Sequence, residues 1–304
     1  MKRHGNRADW WVGYAFISPW VLGFLAFTAG PMLGSVAISF SSWSMLSSPT
    51  WVGLEHYERL FSSDPLFTRS LGNTLVYVAL AVPLTTAVAL GLALLLHQRV
   101  PGMGIFRSIF FLPSITNLVA VSILWLWIFN PEFGLLNSGL RALGIEGPLW
   151  LQSERWAKPA LVLMSLWGVG GSMIIFLATL QGVPLELYEA AELDGAGSVQ
   201  RFFHITLPMI SPAMFFSLVM GFIGGFQVFT QAFVMTGTAQ PGSEGGPNNA
   251  TLFMVLYLYK KAFQEFQMGY ASAIAWVLFV IVLLFTLVQR KLGQRWVYYE
   301  AGAE

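Results

Sequence analysis

The side chains that usually perform catalysis are few in this sequence and stand apart from one another. The four histidines fall in separate segments at no metal-ligand spacing, and the chain contains no cysteine to act as a nucleophile or a thiolate ligand. No lysine follows a glycine, so the phosphate-binding loop of nucleotide hydrolases is absent. The sequence therefore predicts no metal site and no phosphate-binding loop, so that any ATP would be bound by another subunit.

A group of acidic side chains lies in the segment 181–197, which joins the fourth and fifth long apolar runs. Pro184 suits the first turn of a helix, because its missing N–H would have no partner there. Glu186 and Glu189 complement the positive end of the helix dipole, and Gly195 supplies a stop. The segment is therefore predicted to form a short helix.

This short helix is expected to be followed by a second one, which Ser198 can cap and which ends before Ile205. Both are predicted to lie at right angles to the spans. The first helix has an apolar face beside its carboxylates, formed by Leu187, Tyr188 and Ala191. A helix lying in the lipid interface would favour Lys and Arg, so an acidic helix is better suited to docking into a protein cleft on the cytoplasmic side.

Six long runs without a charged residue define the class of the protein. The 304 residues are 56% hydrophobic and 10% charged, against about 25% charge in an ordinary soluble domain. This composition excludes a soluble enzyme and a disordered chain, and a net charge of +1 leaves no basic surface for nucleic acid. Each run exceeds the roughly 20 residues that a spanning helix needs. The sequence predicts an all-α membrane protein, a single transmembrane domain over 1–304, with spans near 11–40, 71–97, 108–129, 159–180, 212–235 and 271–289.

The distribution of basic residues favours cytoplasmic termini. An even number of spans places both termini on one side of the membrane. With the termini inside, nine basic residues lie in inner segments and seven in the longer outer loops. The first apolar run is too long for a signal peptide and lacks a small-residue cleavage site, so it is predicted to remain as the first span.

The predicted spans contain no Asp, Glu, Lys or Arg. Ion-coupled carriers usually place such groups near the middle of the membrane, because these groups carry the coupling. Their absence argues against a secondary carrier. A carrier or a channel stays as the alternative, and it is distinguished by transport that responds to an ion gradient and not to ATP.

A longer sequence pattern surrounds the acidic segment. It consists of Glu189-Ala190-Ala191-x-x-Asp194-Gly195-Ala196, followed by Phe202-x-x-Ile205-x-Leu207-Pro208. Between spans four and five, this pattern resembles the cytoplasmic signature of permease subunits of binding-protein-dependent ABC importers. Segments along nearly the whole chain are similar to the sugar permeases of the lactose, glycerol-phosphate and maltose type: Ser18-Pro19-Trp20 with Pro31, Asn73-Thr74, Phe110-Phe111-Leu112-Pro113, Phe226-Gln227-Val228-Phe229, Met268-Gly269-Tyr270-Ala271-Ser272-Ala273 and Arg295-Trp296-Val297-Tyr298-Tyr299.

The resemblance implies the six-helix architecture of type I ABC importers, in a bacterial or archaeal cytoplasmic membrane. The implied partners are a second homologous permease, a dimer of cytoplasmic ATPases that binds ATP and magnesium, an extracytoplasmic sugar-binding protein, a sugar and membrane lipid. No cofactor and no nucleic acid are expected on this chain. The loop 181–209 would carry the coupling helix that seats in an ATPase groove. The residues of the motif assigned to coupling are Tyr188, Glu189, Ala190, Ala191, Asp194 and Gly195.

The route of the sugar is predicted to lie in the two helices that flank the coupling loop, as in related sugar permeases. Residues of span five at the spacing of one helical stripe are Gly221, Gly224, Gln227, Val228 and Gln231. Span four would add Trp167, Gly168 and Gly171. Together they offer hydrogen-bond partners, apolar surface and room. In the alternative interpretation the glycines, including the Gly221-x-x-x-Gly225 pair, only permit close helix packing, and the glutamines bond to a neighbouring span.

Other solutes stay open within this interpretation. A permease for amino acids, metals or phosphate would share the coupling motif, whereas the flanking segments favour sugars. The sequence also departs from the family pattern in one place, where residues 238–245 stand between Thr236-Gly237 and Gly246-Pro247.

Overall fold

The computed structural model describes residues 7–98, 100–237 and 245–298, and within them the chain is almost entirely helical. The described residues form sixteen α-helices. The first eight are α1 Arg7–Phe24, α2 Gly30–Ser39, α3 Glu55–Ser62, α4 Pro65–Leu96, α5 Met103–Phe111, α6 Leu118–Ile128, α7 Leu135–Ala142 and α8 Glu154–Ser165. The others are α9 Gly170–Gln181, α10 Leu185–Leu193, α11 Ser198–Arg201, α12 Leu207–Met209, α13 Ser211–Phe226, α14 Thr230–Thr236, α15 Met254–Tyr259 and α16 Met268–Gly293. Two short strands, β1 Ser41–Ser42 and β2 Thr50–Trp51, pair in antiparallel fashion.

Three helical stretches of the described chain are continuous, and each is long and apolar enough to cross a membrane. They are Trp10–Ser39, Pro65–Leu96 and Met268–Gly293. These stretches correspond to the predicted spans one, two and six. The first continues through a π-helical turn at Leu25–Ala29 and stops where the serine-rich segment begins. An uninterrupted apolar run is enough to predict such a helix, because lipid forces every backbone group to bond within its own helix.

The other three predicted spans are not single straight helices, which corrects the prediction. Each is a pair of helices that bends at a short break: Met103–Ile115 with Leu118–Ile128 by 100°, Glu154–Gly168 with Gly170–Gln181 by 48°, and Ser198–Met209 with Ser211–Phe226 by 66°. The predicted fifth span also ends early, at Phe226, and α14 follows after a second break. If each bent pair is one span, the total is the expected six.

The described residues fall into two compact units. The first contains the chain up to Ser63 together with Leu258–Val277, and the second contains Asp64–Tyr257 with the chain from Leu278 onward. In the first unit, Trp276 Nε1 donates to Ser35 Oγ at 3.1 Å, which ties the start of α16 to α2. The prediction of one transmembrane domain over residues 1–304 stays a prediction.

The core of the second unit forms around α4. This helix packs against α8, α9 and α13. Small residues allow the closest contact: a Cβ added to Gly221 would lie 2.9 Å from Val82 Cγ1, and one added to Gly225 would lie 3.1 Å from Val78 Cγ2. The buried apolar cluster at one end of α4 contains Ala89, Ala93, Leu96, Val169, Met173, Phe176, Leu177, Leu180 and Ile210.

Buried polar groups hold the other end of α4 to the segment that precedes α15. Asn73 Nδ2 donates to the carbonyl of Asn249 at 2.7 Å, and Lys158 Nζ donates to Asn73 Oδ1 at 2.9 Å. The Met254 N–H donates to Thr74 Oγ1 at 3.0 Å. Because Asn73 and Thr74 are both buried, these bonds satisfy groups that water does not reach.

Candidate functional site

The predicted coupling helix is present as α10. It begins at Leu185, directly after Pro184, and it ends in the αL turn that the sequence predicted at Gly195, whose φ is +81°. The Gly195 N–H donates to the carbonyl of Glu192 at 3.0 Å, and the Ala196 N–H donates to the carbonyl of Ala191 at 2.9 Å. These two bonds form a Schellman motif, which satisfies the last carbonyls of the helix.

The surface of α10 combines exposed apolar and acidic side chains. None of its residues is buried within the described chain, and Leu193 is 91% exposed. Glu189 and Asp194 are exposed and form no ion pair with any described residue. Since an exposed leucine beside free carboxylates is a poor lipid surface, this combination suits a contact with another protein.

Two side-chain bonds fix α10 to the helix that follows it. Tyr188 OH lies 2.8 Å from Thr206 Oγ1. Arg201 Nη1 donates to Glu192 Oε2 at 3.1 Å. Because the partners come from the following helical segment, these bonds connect α10 directly to the chain that leads into α13.

The second short helix differs from its prediction in two respects. The residue at its N-cap is Gly197, whose N–H donates to Gln200 Oε1 at 2.9 Å, and Ser198 is the first helical residue. The helix also continues beyond Ile205, through a π-helical turn over Phe202–Thr206 and on to Met209. The wider π turn keeps the backbone bonded where the sequence suggested an end. This segment meets α13 at 66°, so the predicted right angle is wrong for it.

A cavity of about 360 Å³, called here the inner cavity, lies where the breaks of spans three and four meet α14. Its polar and aromatic lining residues include Ser114, Thr116, Ser165, Trp167, Gly168 and Gln231. Three of these, Trp167, Gly168 and Gln231, are residues that the sequence assigned to the sugar route. The structure thus brings together members of spans four and five that the sequence predicted to face one another.

The remaining residues of the predicted route do not line the inner cavity. Gly221 contacts α4 through Val82, as the packing alternative proposed, and Val228 is buried. Gly224 and Gln227 are exposed, and Gly171 has open space where a Cβ would be. The expected single stripe is wrong, since α13 ends at Phe226 and the backbone from Gln227 to Phe229 is not helical.

Sequence reasoning missed the contribution of span three to this cavity. Pro113 lies in a 3₁₀ turn that closes α5, and Thr116 is extended. Asn117 then starts α6, its Oδ1 accepting from the Val119 N–H at 2.9 Å. The available signal was the cluster of Pro113, Ser114, Thr116 and Asn117 inside an apolar run, which is a typical composition for a turn followed by a helix cap.

Comparisons with known proteins agree with this architecture. The family model for binding-protein-dependent transport system inner membrane components matches residues 74–298. The chain is 45% identical to the probable ABC transporter permease protein YesP of Bacillus subtilis (strain 168), covering 100% of this chain and 97% of that protein. It is 36% identical to the arabinooligosaccharides transport system permease protein AraP of the same bacterium, covering 92% and 88%.

A solved structure shares the fold. A crystal structure of a bacterial ABC transporter involved in the import of the acidic polysaccharide alginate contains a chain that is 26% identical, with a TM-score of 0.80, covering 94% of this chain and 96% of that one. The family match thus covers residues 74–298, and the structural match covers nearly the whole chain. The chain belongs to the family of binding-protein-dependent transport system inner membrane components, and it is a membrane-embedded permease subunit and not an enzyme.

Proposed function

We propose that this chain forms one half of the pathway of an ATP-driven carbohydrate importer and that α10 couples the pathway to a separate ATPase. The observation that carries the coupling role is the exposed acidic helix with its Gly195 stop, bonded through Tyr188 and Glu192 to the segment that leads into span five. ATP and magnesium bind to the partner ATPase dimer. A second permease of the same family completes the pathway.

The substrate class is supported by the relatives and by the chemistry of the inner cavity. One relative is a permease for arabinooligosaccharides and another, from Rhizobium radiobacter, is a lactose permease. The alginate transporter has been solved in complex with a pentasaccharide-bound periplasmic protein. In the inner cavity, Trp167 offers an aromatic face for the CH groups of a sugar ring, while Ser165 and Gln231 offer hydrogen-bonding groups.

The proposed orientation places both termini and α10 in the cytoplasm of a bacterial or archaeal cell. In this orientation the loops around residues 63 and 146 face outward, toward an extracytoplasmic sugar-binding protein. Reporter fusions after Arg295 are then active only with a cytoplasmic reporter, and fusions after Ser63 only with an exported one. The reverse pattern would show that α10 does not face an ATPase.

The coupling role is tested with Gly195→Val and Glu189→Lys. A β-branched residue is strained at a φ of +81°, and the lysine reverses the charge of an exposed position in α10. Both variants are expected to lose sugar uptake and substrate-stimulated ATP hydrolysis in proteoliposomes that contain the whole transporter, with normal amounts of permease in the membrane.

Two matched variants control for general damage. Gly197 is exposed with a φ of −71°, so Gly197→Val introduces the same side chain without strain. Glu189→Asp changes the same exposed position but keeps its negative charge. Both controls should keep uptake. Persistence of uptake in Gly195→Val and Glu189→Lys as well would contradict the assignment of α10 as the coupling helix.

The sugar route is tested at Gln231, which lines the inner cavity. Gln231→Leu removes the amide, which also bonds the buried Tyr77 hydroxyl, and keeps most of the volume, so uptake or the preference among sugars should change in the protein that remains folded, whose amount is measured alongside. Gln294→Leu, at an exposed position after α16, is the matched control. An unchanged uptake rate and unchanged preference in Gln231→Leu would place the route on the partner permease.

A further inference from the structure

A second and larger cavity, called here the outer cavity, lies beside the inner one and belongs to no site assigned so far. Its volume is about 640 Å³, and its lining includes Phe129, Asn130, Gln152, Met235, Thr236 and Asn248. This size falls within the range of small-molecule sites. The inference drawn from it rests on the proposed carbohydrate function and extends that function to a second binding position.

The two cavities follow one another along the same pair of packed segments, α6 and α14. Val121 of α6 lines the inner cavity, and Phe129, directly after α6, lines the outer one. On α14, Gln231 lines the inner cavity and Met235, one turn later, lines the outer one. The eight residues from Val121 to Phe129 correspond to a helical rise of about 12 Å, and the four residues from Gln231 to Met235 correspond to about 6 Å.

The lining of the outer cavity is uncharged in the part of the chain that the structure describes, and it combines a mainly apolar surface with the polar side chains of Asn130, Gln152, Thr236 and Asn248. Gln152 is exposed and its amide bonds to no described residue. Asn130 uses its Oδ1 for the N–H groups of Glu132 and Phe133, which leaves its NH₂ group for a ligand. The Nδ2 amide of Asn248 donates to Glu154, and its side-chain carbonyl oxygen is left to accept from a ligand. Amides beside a phenyl ring suit the hydroxyl and CH groups of a neutral sugar face.

The indole of Trp125 contacts one aromatic lining residue of each cavity. It is one helical turn from Val121 and one turn from Phe129. Its ring meets Trp167, which lines the inner cavity, edge-on at 6.1 Å, and Phe129, which lines the outer cavity, at 5.0 Å between centroids. Trp125 is only 8% exposed, yet its Nε1 has no hydrogen-bond partner among the described residues. A buried indole N–H normally has one.

We propose that the outer cavity is a second carbohydrate subsite, and that Trp125 forms the wall through which a sugar passes to the inner cavity. As the indole turns aside, its Nε1–H donates to a sugar hydroxyl and gains the partner that it lacks in the closed arrangement. Two subsites in series accept a disaccharide or a longer neutral chain.

The absence of cysteine makes the wall testable by single-cysteine labelling in the whole transporter. Gln152→Cys reports on the outer cavity and Gln231→Cys on the inner one. The probe is a membrane-impermeant methanethiosulfonate, added from outside to vesicles without ATP. We expect Gln152→Cys to react and Gln231→Cys to react about tenfold more slowly, because the labelling rate follows the fraction of time that the wall is open.

Trp125 is then varied in the Gln231→Cys background. Trp125→Ala removes the wall and should bring labelling of Gln231→Cys to the rate of Gln152→Cys, whereas Trp125→Phe keeps an aromatic wall and should leave it slow. In the chain that keeps Gln231, Trp125→Phe should nevertheless lower sugar uptake several-fold, since it lacks the N–H donor. If Trp125→Ala does not fold, Trp125→Leu replaces it, because leucine is smaller than tryptophan and leaves less of a cavity than alanine. Equal labelling rates of Gln231→Cys with and without Trp125 would contradict the proposal that Trp125 forms the wall.

The subsite is tested by protection with a mixture of arabinobiose, lactose and maltose. The mixture should slow labelling of Gln152→Cys, while mannitol at the same osmolarity should not. Uptake of any of these sugars without protection of Gln152→Cys would contradict the outer subsite. A failure of Gln152→Cys to react at all would also contradict it, because another chain or lipid then fills the cavity. Absence of uptake of all three sugars would count against the proposed function instead, and the labelling pattern would still decide whether Trp125 is the wall.

Discussion

At the scale of single residues, glycines that look alike in the sequence have different roles. Gly221 and Gly224 are three residues apart in one apolar run, and the sequence assigned both to the sugar route. In the structure Gly221 faces Val82, whereas Gly224 has open space around it. Spacing predicts which residues share a helix face, but the neighbour of that face is decided by tertiary packing, which a single sequence does not contain.

This difference predicts opposite outcomes for the same substitution. Gly221→Val drives side-chain atoms into the stiff, β-branched Val82 and should lower the free energy of unfolding by about 1–3 kcal/mol, the usual cost of overpacking. Gly224→Val places its Cβ within 4 Å of no described atom and should change the free energy of unfolding little. Thermal unfolding of the purified protein in detergent measures both. Adding Val82→Ala should restore part of the loss in Gly221→Val, and equal stability of the two valine variants would contradict the packing role.

At the scale of secondary-structure elements, the sequence predicted which segments enter the membrane but not how they bend. Apolar runs identified spans one, two and six because those helices are uninterrupted. The runs also covered the breaks at Thr116–Asn117 and after Phe226, since hydropathy counts apolar side chains and a break needs only two or three residues. The coupling helix was predictable in detail, because Pro184 and Gly195 act through their own backbone geometry and need no distant neighbour.

The break in span three depends on the cap that begins α6. Asn117 Oδ1 accepts from the Val119 N–H, so Asn117→Ala leaves the first turn of α6 without its cap and should lower the free energy of unfolding by about 1 kcal/mol. Asn117→Asp keeps an acceptor oxygen and should retain most of the stability. Thermal unfolding and sugar uptake are measured together. A loss that is as large in Asn117→Asp as in Asn117→Ala would show that the amide has another role.

At the scale of the whole molecule, the second unit is held by polar contacts between segments far apart in sequence. Thr74 and Thr85 are both in α4 and both donate to carbonyls of that helix, but only Thr74 also accepts from a distant N–H, that of Met254. Sequence analysis noted Asn73-Thr74 only as part of a family pattern. It had no means of finding Met254 as a partner, because neither residue type is specific for the other.

The two threonines therefore form a matched pair. Thr74→Val leaves the buried Met254 N–H without its acceptor and should lower the free energy of unfolding by about 1–3 kcal/mol. Thr85→Val removes only a local bond to the preceding turn and should have a clearly smaller effect. Both are measured by thermal unfolding in detergent. Similar losses in the two variants would mean that the long-range bond contributes nothing.

The bonds of Asn73 and Thr74 also have a consequence for the synthesis of the protein on the ribosome. Their partners at Asn249 and Met254 are added to the chain 176 and 180 residues later. At a translation rate of about 5–20 residues per second, Asn73 and Thr74 are without these two partners for roughly ten to forty seconds. During that interval the Asn73 amide lacks its carbonyl partner at Asn249, and an unpaired polar group is costly wherever it meets hydrocarbon. A nascent chain that stops before Met254 keeps these groups exposed, and the same contact that fixes the finished fold thereby distinguishes a complete chain from a truncated one.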